Sequence, residues 1–443
     1  MNVPAPARHP AKAPGASWSW YGAVLPVAVW FVLLLNVQPW SQSESGSTAA
    51  VKGASLLAVA LLTLLVLPAR ARFVLPWPLG IWLGYAMVLI CAALLQEGTE
   101  PMLRAARVLL GVLIPAVIWV SYKGREGLLE TSALICFAGL ACVVIAGAVL
   151  QPGEAWLNGR AYSSGGRLMG AFLPMMPPRV GEIGAVLIGL AVVRWAFGGL
   201  RLRLLLPLVA SGLGLVVLSR TRTALLAMVI GLLVAFCSTA GSKYGRRGLA
   251  VLAGCAAALL PVWGAIAEWV TRGQSAESIS SLSGRTAVWD FIVHAELDAK
   301  TFLFGHGLGE KRVLLRRGEG DFQTVPIDNS WLDAYWETGL TGLFFVGAGM
   351  IGAVFFALRT TGAPARATSL FLLGYVAVAS VNESGLCDFS SLTLLVVLAI
   401  MVGAVDRSIR RSPETRRTPP ATSTLLLSDD RRGPFQKPSE RIR

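Results

Sequence analysis

Apolar residues run along this chain in long, nearly unbroken stretches, without the polar face that would mark the helices of a water-soluble bundle. A helix that crosses a bilayer needs roughly 20 mostly apolar residues. Twelve stretches meet that need, at about 20–36, 49–67, 74–95, 105–121, 128–150, 180–198, 202–218, 222–239, 247–267, 338–358, 367–382 and 387–405. Most connectors are short, those near 219–222 and 383–387 being the tightest, and no internal repeat is evident. Two are long, from about Gln151 to Arg179 and from about Glu268 to Glu337, and loops longer than roughly 12–15 residues are usually functional or disordered. The second opens on Ser283-Gly284-Arg285-Thr286, continues through Trp289, Phe291 and Ile292, and reaches the turn Gly305-His306-Gly307-Leu308-Gly309. That pattern predicts a helix at the membrane surface followed by a structured loop. The expected fold is an all-α polytopic membrane protein of about 12 transmembrane helices, with a large outer loop between spans 9 and 10. Its parts are a tail at 1–19, spans 1–9 over 20–267 with an outer loop at 151–179, the large loop at 268–337, spans 10–12 over 338–405, and a basic, disordered tail at 406–443. The Pro/Ala-rich start is followed by an apolar run without a small-residue cleavage site, which predicts an uncleaved first span.

Composition agrees with this pattern. Of 443 residues, 54% are hydrophobic and 14% charged, against roughly 25% charged in ordinary soluble domains; this excludes a string of soluble domains. The net charge of +14, from 39 Lys+Arg against 25 Asp+Glu, would suggest nucleic acid in a soluble protein. Here most of the basic residues orient the spans. With the N-terminus inside, the inner connectors hold Arg70 and Arg72, Lys123 and Arg125, Arg194, Arg201 and Arg203, Lys243, Arg246 and Arg247, and Arg359 and Arg366. This alternation is what the positive-inside rule requires. Both termini are expected inside, and no nucleic-acid partner is implied. The six cysteines are irregularly spaced beside apolar runs, against a disulfide framework or a zinc site.

The basic residues left outside each need a reason. A solvated surface accounts for Lys300, Lys311, Arg312, Arg316 and Arg317, and similarly for Lys52 and Arg272, while Arg104 and Arg107 are expected to snorkel at a span end. Arg220 and Arg222 are different, because they stand between two apolar spans with almost no loop. A charge in a membrane segment costs several kcal/mol unless it is paired or faces water. Two guanidiniums two residues apart suit a phosphate, which accepts their planar, permanently charged donors; snorkelling to outer headgroups is the plainer alternative. Arg285 opens a predicted helix, where backbone N–H groups already favour an anion. Arg160, Arg167 and Arg179 decorate the Gly/Ser-rich first outer loop. Together these residues predict an outer anion site built from separated segments, for which a lipid-linked phosphate or pyrophosphate is the natural ligand.

Ser219 through Leu226, Ser283-Gly284-Arg285-Thr286 with Trp289, the Gly305–Gly309 turn, and Asp328-Asn329-Ser330-Trp331-Leu332 followed by Glu337-Thr338-Gly339-Leu340-Thr341-Gly342 resemble segments of the O-antigen ligase and Wzy-type polymerase family. Gly166-Arg167-Leu168-Met169-Gly170 is similar to a segment those proteins carry in an earlier outer loop. The likeness covers roughly residues 160–385 and includes the order of spans and the large loop. It implies a GT-C-like glycosyltransferase of the bacterial inner membrane, with its active site facing the periplasm and both termini cytoplasmic. The donor it implies is an oligosaccharide on undecaprenyl pyrophosphate. The acceptor is another lipid-linked unit in a polymerase, or lipid A–core in a ligase. Chain-length regulator and flippase proteins are the partners such an enzyme would meet. No metal and no cofactor are expected, because arginines neutralise the pyrophosphate. Arg222 matches the family's arginine at the start of the eighth span, and Arg285 the one in the large loop.

The chain departs from the ligase pattern at one place: Asp328 stands where ligases carry a histidine. This favours a polymerase of exopolysaccharide or O-antigen repeat units, with the ligase as the alternative and a lipid-linked glycan flippase as the alternative of another class. A flippase should carry charges along a midplane cavity, whereas here they gather at outer span ends. The expected catalytic residues are Asp328, Arg222 and Arg285, with Arg220, Arg167, Arg160, Asn329, Glu337 and His306 binding substrate. Asp328 has two open readings: it serves as a general base, or it caps the following helix. His294 reads as an interfacial helix residue, Asn382 and Glu383 as possible lining, and Glu182 as a partner for an arginine such as Arg179. The expected reaction is a direct, inverting displacement of pyrophosphate.

Overall fold

The computed structural model describes residues 20–38, 46–65, 75–122, 127–157, 166–173, 175–271, 285–316 and 322–411. The chain divides into two units, Met1–Ile409 and Arg410–Arg443, and the architecture that follows is that of the first. Its helices are α1 (Trp20–Val37), α2 (Gly46–Leu65), α3 (Trp77–Leu94), α4 (Glu100–Tyr122), α5 (Leu128–Leu150), α6 (Pro177–Ala196), α7 (Leu202–Ser219), α8 (Arg222–Ser238), α9 (Lys243–Leu259), α10 (Trp263–Thr271), α11 (Arg285–His294), α12 (Ala299–Phe304), α13 (Ser330–Leu358), α14 (Ala363–Asn382) and α15 (Ser391–Arg411). Each of the twelve apolar stretches carries a helix. Among the described residues, α3, α4, α5, α7, α13 and α14 are long and apolar enough to cross a membrane. The apolar parts of α1, α2, α8 and α15 are shorter, and α6 carries Arg179, Glu182 and Arg194.

The helices differ from the expected stretches where local chemistry intervenes. The ninth stretch breaks into α9, a 3-10 turn at Leu260–Val262 and α10, because Pro261 has no N–H to give an α-helical bond. The tenth begins at Ser330 and is kinked at Gly339, whose φ of 64° falls in the left-handed region open to glycine. The twelfth begins only at Ser391, because Gly385–Ser390 folds as a turn in which Asp388 N bonds Gly385 O at 3.1 Å. The all-α expectation is also incomplete. Two antiparallel hairpins sit in the long connectors: β1 (Trp156–Leu157) with β2 (Arg167–Leu168), and β3 (Arg312–Arg316) with β4 (Phe322–Pro326). In the second, Arg312 pairs with Pro326 and Arg316 with Phe322. Alternation turns Val313 and Leu315 inward onto Val288, Ile292, Ile327 and Trp336, which gives the large connector a small core of its own.

In the helical body α14 lies along α8, α6 along α7, and α13 along α3. Small residues set the closest approach, as is usual between helices in lipid: a Cβ on Gly231 of α8 would stand 2.7 Å from the Phe371 carbonyl of α14. Among the described residues, Arg194, Arg247 and Arg366 of the basic connectors gather at one end. Arg194 donates to Gly127 O at 3.2 Å, Arg366 to Thr360 O at 2.8 Å and to Ser238 O at 3.5 Å, and Arg247 covers the Trp195 ring at 4.1 Å. The two long connectors lie at the other end, beside the C-termini of α5, α7 and α14 and the N-termini of α6, α8, α13 and α15.

Gly231→Ala should lower stability by about 1–3 kcal/mol through overpacking against the α14 backbone. Gly214→Ala on α7, where a Cβ meets nothing within 4 Å, should leave it unchanged or slightly raised. Unfolding midpoints of the two variants in detergent check the contrast.

Candidate functional site

Among the described residues, the end with the long connectors brings together Arg104, Arg179, Arg285 and Lys311 with their carboxylate partners. Arg285, first residue of α11, pairs through Nη2 with Asp328 Oδ2 at 2.9 Å and donates through Nη1 to Asn382 O at 3.0 Å. Asp328 reaches this position because Ile327 before it is pinned on both sides. Its N–H bonds Lys311 O at 3.2 Å, and its carbonyl accepts from Trp289 Nε1 at 2.9 Å. Asp328 then takes a φ of 48°, uncommon for a residue other than glycine. The capping role falls to its neighbour: Asn329 Oδ1 accepts from Trp331 N at 3.0 Å and Leu332 N at 3.2 Å. The Asp328 carboxylate is therefore the one turned to Arg285. Ser330 fixes the helix start to the turn after α14, donating to Glu383 O at 2.6 Å and accepting from Leu386 N at 3.1 Å.

Glu383 joins this pair to a second one. Burial pushes its carboxyl above the usual range, while Arg179 and Arg285 pull it down. Arg179 bonds Glu182 Oε2 at 2.7 Å, as expected for Glu182, and Ser391 Oγ at 2.7 Å. Next to Arg179, Thr221 Oγ1 donates to Pro177 O at 3.0 Å, tying the α7–α8 turn to the start of α6. Gly181 leaves no room for a Cβ there, which would strike Thr221. Arg220 closes α7 in the left-handed region at φ 51°. The buried Arg167 of β2 donates Nε to Ser219 O at 2.9 Å and lies within electrostatic reach of Arg222, which opens α8. Two guanidiniums far apart in sequence thus share one corner. Arg160 lies outside the described residues.

A further ion cluster sits on α4 and α13. Arg104 reaches Asp388 Oδ2 at 3.0 Å and Glu337 Oε1 at 3.4 Å, and Lys311 Nζ reaches Asp388 Oδ2 at 2.7 Å. Burial acts to lower the Lys311 ammonium, yet Asp388 and Glu337 carry it above its ordinary value. Asp388 is partly buried, which acts to raise its carboxyl, yet Lys311 and Arg104 hold it below the usual carboxylate range. The surface reading of Lys311 and the snorkelling reading of Arg104 are corrected accordingly: both turn inward because carboxylates wait there. Glu337 and His306, expected to bind substrate, hold the glycine turn. Glu337 Oε1 accepts from Gly309 N at 2.9 Å, His306 N donates to Trp336 O at 2.8 Å, and the His306 ring stacks on Trp336 at 3.7 Å. Gly305, at φ 76°, has the Glu337 and Thr338 backbone where a Cβ would be. Asp333, one turn into α13, is fully buried and faces Lys311 and Ser384.

The reading of the sequence missed Arg104, Lys311, Asp333 and Asp388. The available signal was the cost of a charge inside an apolar stretch, since Asp388 fell within the expected twelfth span and Arg104 at the edge of the fourth. Among the described residues, no group of three or more His, Cys, Asp or Glu side chains converges as metal ligands would. What the end offers chemically is arginines for an anion and a carboxylate, Asp328, held beside one of them.

Residues 206–347 fit the family model described as O-antigen ligase. The matched stretch runs from α7 past the kink of α13, so it contains Arg220, Arg222, Arg285, His306, Asp328, Asn329 and Glu337, and leaves Arg160 and Arg167 outside. No curated protein matches the chain. The resemblance read from the motifs is borne out to this extent: this is a multi-pass helical membrane protein whose residues 206–347 are similar to the O-antigen ligase family.

Proposed function

We propose that the chain is a glycosyltransferase of the bacterial inner membrane that polymerises oligosaccharide units linked to undecaprenyl pyrophosphate, working at the periplasmic face without a metal. The observation that carries this reading is the Arg285–Asp328 pair at 2.9 Å, a charge-assisted contact joining the large connector to the start of α13 within the matched stretch. The gathering of basic connectors at the opposite end supports cytoplasmic termini and a periplasmic site. Arg222 and Arg167, with Arg220 beside them, bind the donor pyrophosphate and Arg285 extends the same anion site. An incoming diphosphate competes with Asp328 for the Arg285 guanidinium and releases the carboxylate toward the acceptor. The acceptor hydroxyl oxygen then attacks the anomeric carbon from the side opposite the diphosphate. The new C–O bond forms as the bond to the leaving phosphate oxygen breaks, inverting the configuration. The hydroxyl proton passes to Asp328, and the negative charge on the departing diphosphate is met by the arginines.

The ligase reading, transfer of glycan to lipid A–core, is favoured by the description of the matched family; Asp328 in place of the ligase histidine favours the polymerase. The two predict different deletion phenotypes. Loss of a polymerase leaves single-unit glycans at the surface, and loss of a ligase leaves undecaprenyl-linked polymer in the membrane. Electrophoresis of cell-surface and lipid-linked glycans separates them.

In the complemented deletion strain, Asp328→Asn should slow polymer formation by about 10²–10⁴-fold, the usual worth of general-base catalysis. Arg222→Ala and Arg285→Ala should each cost about 10²–10³-fold, as does loss of a transition-state donor. Radiolabel incorporation into polymer by membranes with matched protein levels measures both. Unchanged chain length together with abolished lipid translocation in the arginine variants would turn the reading toward the flippase.

A further inference from the structure

On the flank of the ion cluster, α1, α2 and α4 enclose a cavity of about 160 Å³ with the turn before α15. Asn36, Lys52, Leu56, Arg104, Arg107 and Asp388 line it. Lys52 is only 8% exposed although it stands on an apolar helix. Asn36 Nδ2 donates to Ser55 Oγ at 2.9 Å and to Val32 O at 2.9 Å, which clamps α1 to α2 at the wall. Three cations and one carboxylate thus face a space with room for a tetrahedral phosphate group. The Asp388 oxygen there already takes Arg104 at 3.0 Å and Lys311 at 2.7 Å, so it does not repel an anion with its full charge. The other carboxylates near Arg104 are Glu337, bonded to the glycine turn, and Glu100 at the helix start.

We infer that this cavity is a second anion site, which takes the phosphate or diphosphate headgroup of a membrane lipid and is separate from the Arg167–Arg222 corner. Several features converge on that chemistry. Guanidinium and ammonium donors from two helices are the usual means of gripping phosphate oxygens. The cavity also lies at the same end of the body as the Arg285–Asp328 pair and shares Asp388 and Arg104 with the cluster beside it, so a lipid held there presents its head group toward the proposed reaction. Resting on the polymerase reading, the occupant is the acceptor's polyprenyl diphosphate, which leaves the Arg167–Arg222 corner to the donor. The shared chemistry, a lipid phosphate, is also that of an ordinary anionic phospholipid.

Full-length protein in phosphatidylcholine nanodiscs, titrated calorimetrically with farnesyl diphosphate, tests this without turnover. Two binding events are expected. Arg107→Gln and Lys52→Gln should each weaken one of them by about tenfold or more, the worth of one charged hydrogen bond, and Arg222→Gln should weaken only the other. Arg107→Lys should restore much of the loss, which separates a lost contact from a damaged fold if the Lys52 variant proves unstable. Doping the discs with phosphatidylglycerol identifies the source: competition at the Arg107-dependent event assigns a phospholipid, and its absence assigns a polyprenyl diphosphate. A single binding event in the parent protein, or two events that Arg107→Gln and Lys52→Gln leave unchanged, overturns the second site. Because the readout is binding, that failure is distinct from failure of the glycan assay, which bears on the polymerase reading alone.

Discussion

The carboxylate of Asp388, held between Arg104 and Lys311 at 3.0 and 2.7 Å, is the contact on which the arrangement of this end depends. These side chains are only partly exposed, and a largely desolvated charge left without its partner is costly, so each of the three groups favours the presence of the others. Arg104 brings α4, Lys311 brings the large connector, and Asp388 brings the turn between α14 and α15. From Lys311 the constraint passes along the backbone. Its carbonyl receives Ile327 N, closing the β3–β4 hairpin one residue before Asp328. The position of Asp328 is thus set by an ion cluster that does not include it. Glu337 adds a second tie, because it takes both Arg104 and the backbone of Gly309.

Asp328 and Asn329 divide two tasks that one residue type can perform. Asx side chains serve well as helix caps and tolerate left-handed backbone. Asn329 uses its carbonyl oxygen on two N–H groups of α13, while Asp328 takes the left-handed conformation and keeps its carboxylate for Arg285. Arg220, the other residue of this kind with positive φ among those described, stands in the α7–α8 turn beside Arg222. Uncommon backbone conformations persist where surrounding structure over-determines them, and they cluster at functional sites. Both instances fall inside the stretch that matches the family.

The helices were legible because burial in an apolar environment demands long apolar runs, and each expected stretch holds one. Their ends were less so, since Pro261, Gly339 and the Gly385–Ser390 turn act locally within runs that look continuous. The hairpin β3–β4 was hidden because its alternating pattern is only five residues long on each side. Arg222 stood out in sequence through its place beside Arg220 between two apolar spans with no acidic neighbour, and Arg285 through its place at the start of a predicted helix. Arg104 and Lys311 did not, because their partners lie far along the chain: Asp388 is remote from both, and no spacing rule connects them. An ion pair closed by tertiary structure leaves in the sequence only the cost of each charge taken singly.

That cost also explains why sign alone is a poor guide to what an arginine does here. At the basic end, Arg194 and Arg366 donate to carbonyls at helix ends, and Arg247 and Arg359 cover aromatic rings at 4.1 and 3.9 Å. Those contacts complete helix termini and need no ligand. At the other end Arg104, Arg179 and Arg285 meet carboxylates, which compensates their charge within the molecule. Arg167 and Arg222 follow a third pattern. One donor of Arg167 goes to the Ser219 carbonyl, and the two guanidiniums bear on each other as like charges. Like charges brought together at the end of an apolar body raise each other's cost, and an anion bound beside them would lower it. What each arginine meets, rather than the chain's +14, therefore says more about its work than its sign does: a pair such as Arg285–Asp328 both ties two segments together and holds a guanidinium where an incoming phosphate can compete for it.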